Sequence, residues 1–229
     1  MDDSGISVVM IGATGAVGGE TLRALLAAPA LTRLTLLGRR EVQGVADPRV
    51  AQHIVDVLDA STYESRLAGH DVAISTLGVG EPSKMSKERF VEIDRDANVA
   101  FASACRDAGV RHFEILGSVG SDSGSMSFYL RTKGELEDAL CALAFDRLSI
   151  FRPSMILTPT NRYGVSQAIT LALWPGLSKL MVGGARKYRG ITVARLGTAI
   201  AHNTLSDGGG VERLEWSDFN RIVSAPRAR

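Results

Sequence analysis

Six short apolar runs recur along the first 157 positions, separated by stretches with helical spacing or by glycine-rich turns. They read "ISVVMI" (6–11), "RLTLLG" (33–38), "QHIVDV" (52–57), "DVAISTLG" (71–78), "RHFEILGS" (111–118) and "RLSIFRPSMIL" (147–157). Runs that stay apolar rather than alternating belong to strands buried on both faces. Strands alternating with helices at steps of ~25–40 residues predict an α/β fold, a doubly wound parallel sheet with helices on each side. Between the strands, "GETLRALLAA" (19–28) puts Leu22, Leu25 and Leu26 on one helical face ahead of Pro29. "SRLAGH" (65–70) closes a short helix at a glycine. Residues 86–109 form one long helix with Phe90, Ile93, Ala97 and Phe101 toward the core, and "TVARLGTAIAHNTL" (192–205) is a buried amphipathic helix. Beyond the sixth strand the pattern is less regular. Residues 1–229 are therefore expected to form a single domain, with about 152–229 supplying a small C-terminal substrate cap.

The first strand runs into "GATGAVGG", with Gly12, Gly15, Gly18 and Gly19 opening a helix. Glycines there allow a tight turn and let backbone approach a pyrophosphate lying on the partly positive helix N-terminus. A plain strand–helix turn with close packing is the alternative. The second strand ends "LLGRR". A carboxylate there would select NAD(H), whereas Arg39 and Arg40 can pair with a 2′-phosphate, so NADP(H) is the preferred cofactor and NAD(H) a possible one. Two solvated turn arginines would look the same. Asp56, at the end of the third strand, either caps a loop beside an adenine or is solvated. The small residues of "STLG" (75–78) suit either a crossing cofactor or close helix packing.

Composition excludes several classes. Lys plus Arg is 26 and Asp plus Glu is 25, a net charge of +1 with no like-charge run, which argues against a nucleic-acid surface. A 45% hydrophobic content fits a globular chain. No window of ~18 apolar residues suggests an integral membrane segment. The acidic start "MDDSGIS" is unlike a secretory signal, so a cytoplasmic protein is expected. Cys105 and Cys141 lie in apolar helical stretches and read as reduced core residues. His53, His70, His112 and His202 are scattered without metal-ligand spacing, and no metal site is expected. The apolar segment 165–181 around Trp174 and Pro175 suits a substrate-pocket wall or a homodimer contact, and "GGARKYRGI" (183–191) is a basic loop.

The stretch "SFYLRTKGELEDAL" (127–140) places Tyr129 and Lys133 four apart, on one face of a helix. Together with "GATGAVG" and "ILGS", the "YLRTK" motif resembles the short-chain dehydrogenase/reductase family. "TLLGRR", "FVEIDRD", "YLRTKGELE" and "FDRLSIFRP" look like its atypical branch that includes the Tat-interacting protein reductases; the similarity runs from about residue 6 to 160. The resemblance implies a Rossmann-like fold and an oxidoreductase acting on a small carbonyl or alcohol. By the same resemblance Thr14, Gly15, Ala16 and Val17 would line the phosphates, with Gly12 and Gly18 in the same loop. Arg39 and Arg40 would meet the 2′-phosphate, and Leu77 and Gly78 would approach the cofactor. Tyr129 and Lys133 would stand at the nicotinamide end with Ser118, and Arg152 and Pro153 would bring backbone near the nicotinamide. Two positions depart from the pattern: Gly117 precedes Ser118 where paired serines are common, and Asp94 stands where many members carry asparagine. A cofactor-binding regulator that senses NADP(H) without turnover is the alternative from another class.

Overall fold

The computed structural model describes residues 5–80, 84–158 and 181–225. Among these residues, seven strands form one parallel sheet in the order β3-β2-β1-β4-β5-β6-β9. They are β1 (Ile6–Ile11), β2 (Leu31–Gly38), β3 (Val50–Ile54), β4 (Val72–Ser75), β5 (His112–Leu116), β6 (Arg147–Phe151) and β9 (Gly210–Leu214). The short strands β7 (Ile156–Leu157) and β8 (Ile191–Thr192) pair separately. The doubly wound architecture read from the sequence is thus observed, with the seventh strand added. Val211 and Glu212 of β9 sit at an edge among exposed residues, so that strand lacks the apolar run that marks the others.

Alternation along each strand feeds two cores. Val8 and Met10 of β1 face one side, with Leu34, Leu36, Val72 and Ile74. That side is covered by α1 (Ala16–Leu26), α5 (Val193–Thr204) and α6 (Trp216–Ser224), through Leu22, Leu25, Leu196, Ile200 and Phe219. Val9 and Ile11 face the other side, against α3 (Ala97–Asp107) and α4 (Phe128–Ala142), where Phe101, Phe113, Leu136 and Leu140 are buried. The helix read at 192–205 is α5. It crosses α1 so closely that a Cβ at Gly197 would lie 2.6 Å from the Cβ of Glu20. The C-terminal part therefore does more than cap: α5, β9 and α6 complete the main sheet and buttress the helix behind the glycine loop.

Three local expectations change. The short helix read at 65–70 is a single 3-10 turn, Glu64–Arg66. The basic loop read at 183–191 contains a 3-10 helix, Gly183–Tyr188. The long helix read at 86–109 is interrupted: α2 (Lys87–Val91) passes into a π-helical segment, Glu92–Asp96, before α3. One extra residue in the turn frees backbone carbonyls, and Asn98 satisfies them by donating from Nδ2 to the carbonyls of Ile93 (3.1 Å) and Asp94 (3.2 Å). Asn98 Oδ1 is held in turn by the hydroxyl of Ser75 at the end of β4. Cys105 is fully buried and burial pushes its thiol pKa well up, while Cys141 is only partly buried; both are free thiols.

Candidate cofactor and active site

In a sheet of this order, ligands bind beyond the C-terminal strand ends, at the switch point between β1 and β4. The glycine loop lies there. Gly12 has φ +86°, a left-handed conformation, and a Cβ on it would sit 2.6 Å from the Thr76 backbone. A Cβ on Gly18 would overlap the carbonyl oxygen of Gly12 and approach Thr76 Oγ1 to 2.6 Å. The loop is closed by a Gly15 N–H to Gly12 carbonyl bond of 2.9 Å. Gly15 caps α1 without a side-chain bond, and no acidic residue lies in the first turn. The amides of that turn have no intrahelical partner and lie at the positive end of the helix dipole, the donor set an anionic phosphate needs. Close packing against Thr76, just after β4, is what shapes this turn.

Beside the cradle, Arg40 joins Gly12, Thr14, Gly38, Val42 and His53 around a cleft between the ends of β1, β2 and β3. Arg39 and Arg40 are exposed, with no ion-pair partner among the described residues. Gln52 fixes the neighbouring loop, accepting from the Val42 amide (2.8 Å) and donating to its carbonyl (3.2 Å). Burial, together with the Arg66 guanidinium, pushes His53 below its ordinary pKa. Asp56 is exposed and accepts from the Leu58 amide at 3.0 Å, a solvated carboxylate that also caps its loop.

At the other end of the crevice, the face of α4 carries Tyr129, Lys133 and Glu137, each one turn from the next. Tyr129 is partly exposed, its ring 5.7 Å from Phe90, and no described residue bonds its hydroxyl. Lys133 is almost wholly buried and its Nζ lies 2.7 Å from Asp94 Oδ1. Asp94 Oδ2 accepts from the Val79 amide at 2.7 Å, just past Leu77 and Gly78. Glu137 is buried and holds Arg152 through two bonds, one of 2.9 Å from Nε, with Arg213 also 3.5 Å away. That pair fixes the chain entering Pro153, whose carbonyl accepts from Val119 (3.0 Å) beside Ser118. Ser118 is buried just after β5, and among the described residues its hydroxyl makes only a long 3.5 Å contact to the Val119 carbonyl. The loop after Ser118 then folds back along α4. It passes directly over Gly134, where a Cβ would be 2.7 Å from Asp122 Cα.

Asp94, Asn98, Gly134 and Glu137 escaped the sequence reading as working parts of the site. Asp94 was noted only as a departure, and the other three carry no signal without the fold. Among the described residues no group of three His, Cys, Asp or Glu side chains could hold a metal, and no helix is long and apolar enough to cross a membrane. Residues 159–180, which include Trp174 and nearly all of the apolar segment read as pocket wall or dimer contact, lie outside the described residues.

Residues 12–168 match the family model described as NAD(P)H-binding. The chain belongs to that family. The fit is physical as well: an uncapped helix end, a glycine cradle and free cations suit a dinucleotide. Relatives of the NAD(P)H-binding chain include Protein HTATIP2 of Rattus norvegicus, 32% identical over 91% of this chain and 86% of the relative. Protein fmp52, mitochondrial, of Emericella nidulans is 36% identical over 76% of this chain and 77% of its own. The first agrees with the resemblance to the Tat-interacting protein branch. Among solved structures, MoeE5 in complex with UDP-glucuronic acid and NAD gives a TM-score of 0.70 at 16% identity, covering 91% of this chain and 75% of that one. The triphenylmethane reductase of Citrobacter sp. complexed with NADP(H) gives 0.62 at 17% identity, covering 92% and 69%. These two share the Rossmann-like fold.

Proposed function

We propose that this protein is an NADP(H)-dependent oxidoreductase acting on a small carbonyl or alcohol. The observation that carries the reading is Lys133: a buried cation, pinned in place one helical turn from a tyrosine whose hydroxyl no described residue bonds. Thr14, Gly15, Ala16, Val17 and Gly18 would hold the pyrophosphate, Arg39 and Arg40 the 2′-phosphate, and Asp56, Leu77, Gly78 and Pro153 would flank the rest. The bound nicotinamide supplies or accepts the hydride. The chain's own part is the proton. Tyr129 donates it from the phenol to the substrate oxygen during reduction and withdraws it during oxidation. A free tyrosine, with pKa ~10, is a poor base at neutral pH. Lys133 brings a positive charge to the same face of α4 as the phenol. Ser118 donates to the substrate oxygen as it gains charge. The cytoplasmic setting stays part of the proposal, and cell fractionation tests it against the mitochondrial setting in the names of the fmp52 relatives.

A second reading draws on Asp94. Its carboxylate at 2.7 Å offsets much of the field that Lys133 would exert on the phenol. Lys133 would then serve ribose binding alone, in a protein that senses NADP(H) without turnover. Screening aldehydes, ketones and quinones for NADPH oxidation separates the two. With a working substrate, Tyr129→Phe is expected to lower turnover by ~10²-fold or more while NADPH affinity changes little. Full turnover in that variant rules out the tyrosine as proton donor, and NADPH binding with no turnover across the panel favours the sensor.

A further inference from the structure

Away from the crevice, three neighbouring strands carry polar side chains in register on one face: Glu114 on β5, Ser149 on β6 and Glu212 on β9. The C-terminal end of α5 closes over them with Asn203 and Thr204. Glu114 is 0% exposed. Among the described residues, the charged or titratable groups that face it are His112 on its own strand, 3.6 Å away, Arg147 on β6 and Glu212 on β9. Its register partner on β4 is the apolar Ile74. On α5, His202 instead contacts the Ile222 carbonyl of α6 (3.5 Å).

Counting protons fixes the state of each group. Arg147 Nε (3.0 Å) and the Ser149 hydroxyl (2.7 Å) both donate to Glu212 Oε2, so Glu212 is the counter-ion of the arginine. Ser149 spends its one proton there, so His112 must donate to it through Nε2 (2.9 Å), and burial beside Arg147 holds the imidazole neutral. No cation of this group is left for Glu114, and an unmatched carboxylate in the interior is costly. Thr204 gives the complementary sign. Its hydroxyl also has one proton, yet two oxygens stand within reach: the Ile200 carbonyl at 3.0 Å and Glu114 Oε2 at 2.6 Å. With a carboxylate there, one of these contacts lacks a proton. A carboxylic acid supplies it: Glu114 donates to Thr204 Oγ1, Thr204 donates to Ile200, and Glu114 Oε1 accepts from Asn203 Nδ2 (2.7 Å).

We propose that Glu114 is a carboxylic acid that serves as a proton-operated latch, fastening the C-terminal end of α5 to the sheet while it is protonated and releasing it on ionisation. Burial lifts the acid to about 7. The docked helix favours the protonated form, so its hold weakens as pH rises through neutrality. α5 is also the helix that packs on α1 behind the glycine loop, so the latch sets how firmly that loop is backed. The inference is independent of the NADP(H) reading.

The test is amide hydrogen exchange of the full chain at about pH 6 and about pH 8.5, corrected for the intrinsic pH dependence of exchange. Protection at the C-terminal end of α5 is expected to fall by about tenfold between them, the factor that one proton gives between a released value of 4.5 and a docked value of about 7. Glu114→Gln keeps a donor for Thr204 and an acceptor for Asn203 but cannot ionise, and its α5 is expected to stay equally protected at both pH values. α3 and α4, on the far side of the sheet, should not follow α5 in either protein. The proposal is overturned if α5 of the parent is equally protected at both pH values, if the Gln variant loses protection as the parent does, or if all helices loosen together. Should the variant fail to fold, the carboxyl carbon resonance of Glu114 in the parent decides. Ionisation near neutrality is expected, and ionisation at the ordinary ~4.3 overturns the latch.

Discussion

The two ends of the crevice are built by opposite means. The glycine-loop end is made of backbone and of cations with no ion-pair partner among the described residues: Gly12, Gly15 and Gly18, an uncapped α1, and exposed Arg39 and Arg40. The α4 end is made of closed pairs: Lys133 with Asp94, Glu137 with Arg152, the Val79 amide on a carboxylate. Groups left open cost the fold little and are free to bind. Groups paired in the interior hold the fold, and removing one partner strands the other. The first end should therefore show its worth in affinity, the second in stability as well as in chemistry.

The sharpest way to break that contrast is Glu137→Ala. It leaves Arg152, mostly buried, without its carboxylate, and stability is expected to fall by about 3 kcal/mol in urea unfolding. Arg39→Ala with Arg40→Ala should cost less than ~0.5 kcal/mol in the same assay, as exposed substitutions do. Equal losses would erase the distinction.

A closed network away from the crevice extends the comparison to pH. Glu114 is fully buried on β5, accepting from Asn203 (2.7 Å) and Thr204 (2.6 Å) of α5, and burial raises its pKa to about 7. His112 bonds Ser149 at 2.9 Å, and burial, with Arg147 nearby, lowers its pKa to about 3. The neutral imidazole is favoured by folding, so its contribution is present above ~6.5, the unfolded value, and is lost as pH falls toward 3. Glu114 works in the other direction, losing stability as pH rises from ~4.5 to about 7. Replacing His112 with Gln removes the first effect alone. Between pH 7.5 and 4.5 the parent is expected to lose about 2–3 kcal/mol more than His112→Gln, read from urea midpoints. Parallel pH profiles would mean that His112 is not held neutral.

Affinity measures the open end. The parent is expected to prefer NADPH over NADH by ~10–100-fold, and the double arginine variant to lose most of that preference. Equal affinity in the parent would make the arginines solvated turn residues after all. The smallest effect is expected from Gln52→Ala, which releases the Val42 backbone beside the cleft; NADPH should weaken by about threefold with stability lowered by ~1 kcal/mol. A larger loss of affinity than the arginines give would shift the centre of recognition to the loop.

The sequence alone was enough for the alternating strands, the glycine loop, the arginine pair and the Tyr129–Lys133 spacing. Each of these is local: an apolar run, a turn that admits only glycine, or a repeat of four on a helix declares itself within a few residues. The tertiary structure alone decided the partners. Asp94 looked like a departure until a π-turn brought it to Lys133. Glu137 carried no signal of its own until the end of β6 delivered Arg152 from fifteen residues away. Gly134 acquires its role only where the loop after Ser118 passes over it, and β9 carried too few apolar residues to be seen as a strand before β6 offered an edge. Spacing along the chain encodes backbone geometry. The burial of a charge and the group that matches it are settled only when distant segments pack, because the low-dielectric interior makes an unmatched charge too costly to leave where it is.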